Sequence, residues 1–367
     1  MDVRVGSPLR GGGIVARPME RYLVTLDHEQ LLVRRGARSG LYCVVAVHST
    51  VRGPALGGCR MWRYGDSRAA VRDALLLSRA MTYKSAAAGL PLGGGKGVIM
   101  LPDGPPHGAA RRAALLDFAD TVEALRGSYT TAEDVGTSAR DMTVIAEGTR
   151  HVSGLARSRG GSGDPSPYTA LGVEAAVLAS LERALGSTSL KGRSAAVVGL
   201  GHVGLRVARL LARRGARLIV SDIDRGKRDE AARLGARWAT PEKAMLAPVD
   251  VVVPCALGGV LDDESATGLQ APVVAGAANN QLADDSVADV LDRRGVLWAP
   301  DFVANAGGVI NIAVEFAPGG YDPALARRRV RGIGDTLRAV YDTAADGMTP
   351  LAAAMELARR NLADSPA

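Results

Sequence analysis

Cysteine is scarce in this chain. Its three residues, Cys43, Cys59 and Cys255, form no Cys-x-x-Cys pair and no metal-ligand spacing. That excludes a disulfide framework or a zinc ribbon, leaves no metal site to expect, and reads as free thiols in a reducing, cytoplasmic compartment. Aromatic residues are equally thin, at 4%. None interleaves with the arginine clusters at Arg111-Arg112, Arg213-Arg214 and Arg327 to Arg331, so the net charge of +7 reads as solvated helix faces, suited to an anionic cofactor and not to nucleic acid. No apolar run reaches the roughly 18 residues of a membrane span. The N-terminus carries no signal-peptide core, and there is no internal repeat. What remains is a soluble enzyme-like chain. At 367 residues and 47% hydrophobic content it is too long for one ordinary core, so two domains are expected.

Glycine is what the chain has in plenty, and one glycine-rich stretch organises the rest. Met81-Thr82-Tyr83-Lys84 closes an amphipathic segment of helical period, Val71 to Ala87. Twelve residues after Lys84 comes Lys96, behind Gly93-Gly94-Gly95 and ahead of the apolar run Val98 to Leu101. The pattern reads as helix, tight glycine turn, strand. Glycine lets a backbone approach a ligand closely. An ammonium in such a place, facing a second ammonium, is set up to lose its proton early, because burial and like charge both disfavour the charged form. A lysine so placed can serve as a base. Two lysines around three glycines, in a stretch otherwise without charge, are not an ordinary solvated surface.

Taken in order, residues 1–20 read as a leader and Tyr22 to Val33 as strand or helix. Leu41 to His48 is a strand, with His48 a strand residue and not a ligand. It runs into a glycine-rich turn, Gly53 to Met61. Helices follow over Arg68 to Ser85 and Ala109 to Leu125. Tyr129 to Thr137 is a strand ending in Glu133 and Asp134, and Asp141 to Glu147 is a short helix. Arg157 to Pro167 is the strongest linker signal and places the hinge, with Tyr168 to Leu185 the helix that crosses it.

Beyond the hinge, the strand Ser194 to Val198 runs into Gly199-Leu200-Gly201-His202-Val203-Gly204 and the helix Leu205 to Arg214. The next strand, Ala216 to Val220, ends at Asp222, eighteen residues past Gly204. Strand, Gly-x-Gly-x-x-Gly, helix and a later acid together form the dinucleotide fingerprint. The glycines make the turn and the close approach, the helix N-terminus takes pyrophosphate, and the acid takes the ribose hydroxyls. Asp222 would repel a 2′-phosphate and so favours NAD. Further strands at Val249 to Val253, Val273 to Ala275 and Val296 to Trp298 end in small or amide residues, among them Ala256, Ala278, Asn279, Asn280 and Asn305, where a doubly wound sheet binds its ligand. Leu325 to Ala345 and Pro350 to Leu362 are terminal helices that pack back on the first domain or bridge the two.

The motifs Gly53 to Met61, Met81 to Lys84 with Gly93 to Lys96, Thr131-Ala132-Glu133-Asp134-Val135-Gly136-Thr137, the dinucleotide turn, Gly276 to Asn280, and Asn305 to Gly308 occur in one order. In that order they resemble the glutamate/leucine/phenylalanine/valine dehydrogenases, and most of all the leucine, valine and phenylalanine members. The resemblance implies an α/β protein of two domains, an N-terminal catalytic domain and a Rossmann-type dinucleotide-binding domain, with a cleft between. Residues 1–155 would form the catalytic and oligomerisation domain, with helices 335–367 packing back on it, and 156–334 the NAD-binding domain. The implied reaction is NAD-dependent reversible oxidative deamination of an L-amino acid to the 2-oxo acid and ammonia, in a homo-oligomer. Lys84, helped by Asn280, would hold the substrate carboxylate. Lys96 would polarise the developing carbonyl and activate water, and Asp134 would carry protons to and from the amino group.

The same resemblance adds Thr169 to the cofactor contacts, beside Gly199, Gly201, His202, Val203, Gly204, Asp222, Ala256, Ala278, Asn279 and Asn305, and adds Gly57 to the substrate site. Leu56, Ala132, Val309 and Ile312 match its pocket-lining positions. Glutamate-specific members carry a lysine where Leu56 stands and a serine where Ile312 stands, so an apolar pocket is expected here, one that would strand a distal carboxylate. Valine, leucine or isoleucine fit it. Phe302-Val303-Ala304 resembles the phenylalanine enzymes and keeps an aromatic or unusual amino acid as the alternative. Departures from the resemblance fall at Val314, where an acid is common, and at Trp62. A non-catalytic NAD-binding regulator is the rival of another class, and it would have no chemical need to keep Lys84, Lys96 and Asp134 together.

Overall fold

The computed structural model describes residues 26–345 and 347–364, so the expected leader lies outside the described residues. Two sheets organise the chain. The first contains β1 (Gln30–Arg35), β2 (Tyr42–Ser49), β3 (Ala55–Arg63), β4 (Gly93–Leu101) and β5 (Tyr129–Glu133), in the order β1-β2-β4-β3-β5. β2 runs antiparallel to β1 and β4, while β3 runs parallel to β4 and β5. Alternation along β2 explains its unbroken apolar run. Cys43, Val45 and Val47 face the helix Gly108–Glu123 through Leu115 and Phe118, whereas Val44 and Ala46 face the helix Ser67–Ala87 through Ala70 and Ala74.

The glycine runs expected to be turns are strand residues: Gly93 to Gly95 open β4, and Leu56 to Cys59 lie inside β3. The reason is close packing, not positive φ. A Cβ on Gly94 would stand 2.1 Å from the Thr82 backbone nitrogen, on Gly95 2.5 Å from the Tyr129 ring, and on Gly97 2.4 Å from the Phe118 ring. Local propensity disfavours glycine in strands, and only contacts remote in sequence reverse that here. The turn itself comes earlier, at Gly89, with φ +65. The helix before it starts at an Asp66 cap, whose side chain accepts from Ala69 N at 2.8 Å. Its buried face is made of small residues such as Ala70, Ala74, Ser78 and Thr82, so it lies tight on the sheet.

The second sheet is parallel throughout: β6 (Ser194–Val198), β7 (Arg217–Ser221), β8 (Arg237–Trp238), β9 (Val251–Pro254), β10 (Val273–Val274) and β11 (Leu297–Trp298), in the order β11-β10-β9-β6-β7-β8. The chain winds outward from β6 in both directions, so the switch point lies between β6 and β9, where this architecture binds its ligands.

The helix Ser166–Leu185 joins the two units. At the crossing, Glu315 Oε1 accepts from Gly154 N at 3.0 Å and from Ser162 N at 2.7 Å. The terminal helices part company. Pro350–Ala363 packs on Ser67–Ala87, with Asn361 Nδ2 donating to Ala86 O at 2.8 Å. Ile333–Ala344 lies instead along Ser166–Leu185, where Tyr341 and Ser180 hydroxyls meet at 2.6 Å. It follows Pro323–Arg331 after a break at Gly332, so the single long helix expected from Leu325 is two. Among the described residues no helix is long and apolar enough to cross a membrane.

Candidate active site

The two lysines meet because of strand alternation. Gly94, Lys96 and Val98 share one face of β4, and Gly94 and Val98 both meet the helix Ser67–Ala87, which ends with Lys84 in its last turn. Bare Gly94 lets that helix settle on the strand and carries Lys84 toward Lys96. β5 delivers Asp134 one residue past its end, into a turn fixed by Thr137, whose Oγ1 accepts from Asp134 N at 3.0 Å and donates to Cys59 O at 2.8 Å. Gly58 makes the room, since a Cβ there would stand 2.6 Å from Asp134 Cβ.

Lys96 Nζ donates to Asp134 Oδ2 at 2.6 Å, and Lys96 is 5% exposed. Arg60 Nε donates to the same oxygen at 3.0 Å. Among the described residues Asp134 Oδ1 takes no hydrogen bond, so this oxygen is free for a ligand. Burial lowers Lys96 below the ordinary lysine range, against the pull of Asp134. Asp134 is opposed by its own burial, but Lys96 and Arg60 outweigh that and hold it below the usual carboxylate range. Lys84 is half-buried, and burial pushes it down to about 8, with Lys96 adding like-charge repulsion and Asp301 opposing.

From the second sheet, Asn279 Oδ1 accepts from Lys84 Nζ at 3.4 Å and from Asn305 Nδ2 at 2.9 Å. Asn280, expected to help Lys84 hold the substrate carboxylate, is the next residue. Its backbone is left-handed, φ +51, and among the described residues no hydrogen bond joins it to Lys84. Asp301 is a buried carboxylate that no motif reading singled out. It accepts from Gln281 N at 2.9 Å and Phe302 N at 2.7 Å, and so ties down the asparagine loop. Burial raises Asp301 above the usual carboxylate range. Leu56, Ala132, Val309 and Ile312, from β3, β5 and the helix Gly307–Ala313, fall in one buried apolar cluster that spans both units. Gly57 is demanded by packing, since a Cβ there would stand 1.7 Å from Gly95 O.

The three glycines of the dinucleotide turn do three different things. Gly199 has φ +101, Gly201 has open space where a Cβ would point, and a Cβ on Gly204 would stand 1.9 Å from Gly199 O. Turn, open flank and close packing are what a pyrophosphate cradle needs. His202 and Val203 lead into the helix Gly204–Arg213. Asp222, just past β7, accepts from Leu200 N at 2.7 Å and so is tied to the turn. Ala256 backs onto Gly199, and Thr169 packs under Gly308. Ala278 N donates to Pro254 O at 3.0 Å and holds the strand ends together. Asn305 Oδ1 is buried with no partner among the described residues, an orphaned acceptor suited to an amide ligand. The turn also reaches the first unit: Glu133 is raised chiefly by burial and by Asp164, with His202 opposing. The three thiols take no part. Cys43 and Cys59 are buried, and burial pushes both Cys43 and Cys255 up to about 12. Among the described residues no cluster of His, Cys, Asp or Glu could hold a metal ion.

A dinucleotide-binding sheet opposite a lysine–aspartate pair defines an amino acid dehydrogenase, an oxidoreductase acting on CH–NH2 groups. Comparison with known proteins agrees. Residues 28–151 match the Glu/Leu/Phe/Val dehydrogenase dimerisation domain, residues 222–331 match the Glutamate/Leucine/Phenylalanine/Valine dehydrogenase domain, and residues 174–258 match an NAD-binding domain of D-isomer specific 2-hydroxyacid dehydrogenases. The leucine dehydrogenase of Thermoactinomyces intermedius is 43% identical over 93% of this chain and 92% of its own. The valine dehydrogenase of Streptomyces virginiae is 41% identical over 92% of this chain and 94% of its own. The crystal structure of L-tryptophan dehydrogenase from Nostoc punctiforme superposes with a TM-score of 0.80 at 36% identity, covering 95% of this chain and 99% of the other. The chain belongs to the Glu/Leu/Phe/Val dehydrogenase family, in the branch that holds leucine, valine and tryptophan dehydrogenases.

Proposed function

We propose that this enzyme catalyses the NAD-dependent, reversible oxidative deamination of an apolar L-amino acid, with valine, leucine and isoleucine preferred, giving the 2-oxo acid and ammonia. The observation that carries the reading is the buried Lys96–Asp134 pair at 2.6 Å, facing a half-buried Lys84 that reaches across the cleft to Asn279. Lys84 holds the substrate carboxylate, and Asn279 orients the ammonium that does so. Gly199, Gly201 and Gly204 would hold the pyrophosphate of NAD and Asp222 its ribose, and the cofactor would supply the acceptor for the hydride of the substrate Cα. The substrate ammonium gives up one proton to the free Oδ1 of Asp134, and the amine that remains becomes C=NH2+ as the hydride leaves Cα. Lys96, in the deprotonated form that burial favours, takes a proton from water as the oxygen adds to that carbon. Asp134 then returns its proton to the nitrogen, the C–N bond breaks as the hydroxyl proton passes to solvent, and ammonia and the 2-oxo acid leave.

Leu56, Ala132, Val309 and Ile312 offer the side chain no polar partner, which supports an aliphatic substrate and disfavours glutamate. A hydrophobic pocket separates side chains that differ by one methylene by only about 1–3 kcal/mol, so members of the aliphatic set should all be turned over. The second reading, a bulky or aromatic substrate, draws on the likeness to the tryptophan enzyme, 40% identical over 344 residues. We assign oligomer formation to the unit ending near residue 155, the part that matches a dimerisation domain. Initial rates with all common amino acids at alkaline pH, with NAD and NADP in parallel, test the proposal. Turnover of valine, leucine or isoleucine with NAD supports it. Selective turnover of tryptophan or phenylalanine favours the second reading, and no NADH formation with any amino acid refutes both.

A further inference from the structure

Asp134 Oδ2 is held from two sides, and only one of its partners belongs to the chemistry described above. The other, Arg60, lies in β3 with its side chain 23% exposed. Its Nε reaches Asp134 Oδ2 at 3.0 Å and its Nη1 reaches Asp73 Oδ2 at 3.0 Å. Asp73 sits on the helix that ends with Lys84, and it also accepts from the Tyr64 hydroxyl at 2.5 Å. The guanidinium is therefore clamped between a carboxylate in the site and a carboxylate outside it. Charges alternate along the line Asp73, Arg60, Asp134, Lys96. Arginine keeps its proton at every working pH, so Arg60 relays nothing. It can only hold a shape and impose a field.

We propose that Arg60 is a positioning residue for the proton-transfer pair: with Asp73 as its anchor, it fixes Oδ2 of Asp134 so that Oδ1 is left facing the substrate nitrogen. This rests on the assignment of Lys96 and Asp134 as the groups that move protons. The charge of Arg60 acts on both of them in one direction. It favours ionised Asp134 and disfavours protonated Lys96. Among the described residues the groups that face the pair are Arg60, Asp73, Lys84 and the buried Cys59 and Tyr129, and of these Arg60 alone bonds to it directly. Without the guanidinium both members bind protons more tightly, so the acid limb of the coupled pair moves to higher pH.

The test compares Arg60→Met, Arg60→Lys and Asp73→Asn in the full chain, with kcat at saturating amino acid and NAD followed across pH, beside Asp134→Asn. Arg60→Met is expected to move the acid limb up by about one pH unit. Arg60→Lys should recover part of that shift. Asp73→Asn, which removes a negative charge, should leave the limb in place or move it down while lowering kcat at every pH. A uniform loss of kcat in Arg60→Met with the limb unmoved, and no recovery in Arg60→Lys, would overturn the proposal. If Arg60→Met does not fold, the more conservative Arg60→Lys and Asp73→Asn pair decides by the direction of their shifts. An Asp134→Asn enzyme as active as the parent would instead overturn the assignment of the pair itself.

Discussion

Lys84 gives the sharpest quantitative handle on the site. Its ammonium has three donors, and among the described residues its one hydrogen bond is the long contact to Asn279 at 3.4 Å. Two donors are left for a substrate carboxylate. Charge-assisted bonds of this kind contribute about 1.5–3 kcal/mol each in a dry site. Lys84 is only half-buried, so solvent screening reduces the pair to about 2–3 kcal/mol. Lys84→Met should therefore weaken an unreactive substrate analogue such as isocaproate by about 30- to 150-fold. The pH dependence follows from the sign of the shift. Binding needs the ammonium, and burial has lowered its proton affinity to about 8. Affinity should be level below that pH and should fall about tenfold for each unit above it, because the free enzyme then carries a neutral amine. Lys84→Arg keeps its charge throughout and should abolish the fall, at some loss of affinity from its larger fork. Calorimetric titration of isocaproate into the NADH-bound enzyme from about pH 6 to about pH 10 reads both effects. Loss of less than threefold in Lys84→Met, or a fall that persists unchanged in Lys84→Arg, would refute the assignment.

Lys96→Ala should lower kcat by about 1,000-fold, the range of general acid–base groups, while NADH fluorescence titration shows cofactor affinity within twofold of the parent. Asp301→Asn removes a negative charge that helps Lys84 keep its proton, so the alkaline fall in isocaproate affinity should begin at lower pH than in the parent. Gly94→Ala would place a methyl 2.1 Å from the Thr82 backbone and push the Lys84 helix off β4. A loss of about 1–3 kcal/mol or more in thermal or urea unfolding is expected, together with reduced kcat. Asp222→Ala should narrow the preference for NAD over NADP, read as the ratio of their kcat/KM values, because the carboxylate tied to Leu200 N no longer repels a 2′-phosphate.

Much of this site is legible in the sequence, because its parts are local. The dinucleotide turn is one such part: its three glycines, the strand before and the helix after all fall within about 20 residues, and each has a local cause. Lys84, Lys96 and Asp134 were legible for a different reason, their place in ordered motifs. The glycines around them misled, since Gly93 to Gly95 and Gly57-Gly58 read as turns when taken alone. Their cause is a helix at Thr82, a ring at Tyr129 and a side chain at Asp134, none adjacent in sequence. Arg60 was hidden likewise. Its second partner, Asp73, lies thirteen residues on, in another element, with no pattern linking them. Between Asn279 and Asn280 composition offers no choice. It is Asn279 Oδ1 that accepts from Lys84 Nζ.

The proposed site draws on both units, and its charged groups are divided between them. The first unit supplies Lys84, Lys96 and Arg60 against Asp134 and Asp73, an excess of one basic group, and burial disfavours charge on both lysines. The second unit brings a single buried carboxylate toward that excess, Asp301, and its own ionisation is eased by Lys84 in return. Asp301 spends its hydrogen bonds on Gln281 N and Phe302 N, so it can offset the charge of Lys84 without capturing the ammonium. A direct ion pair there would leave the substrate carboxylate competing with a resident one. Under the role proposed for Lys84, this arrangement leaves its ammonium available to a ligand carboxylate.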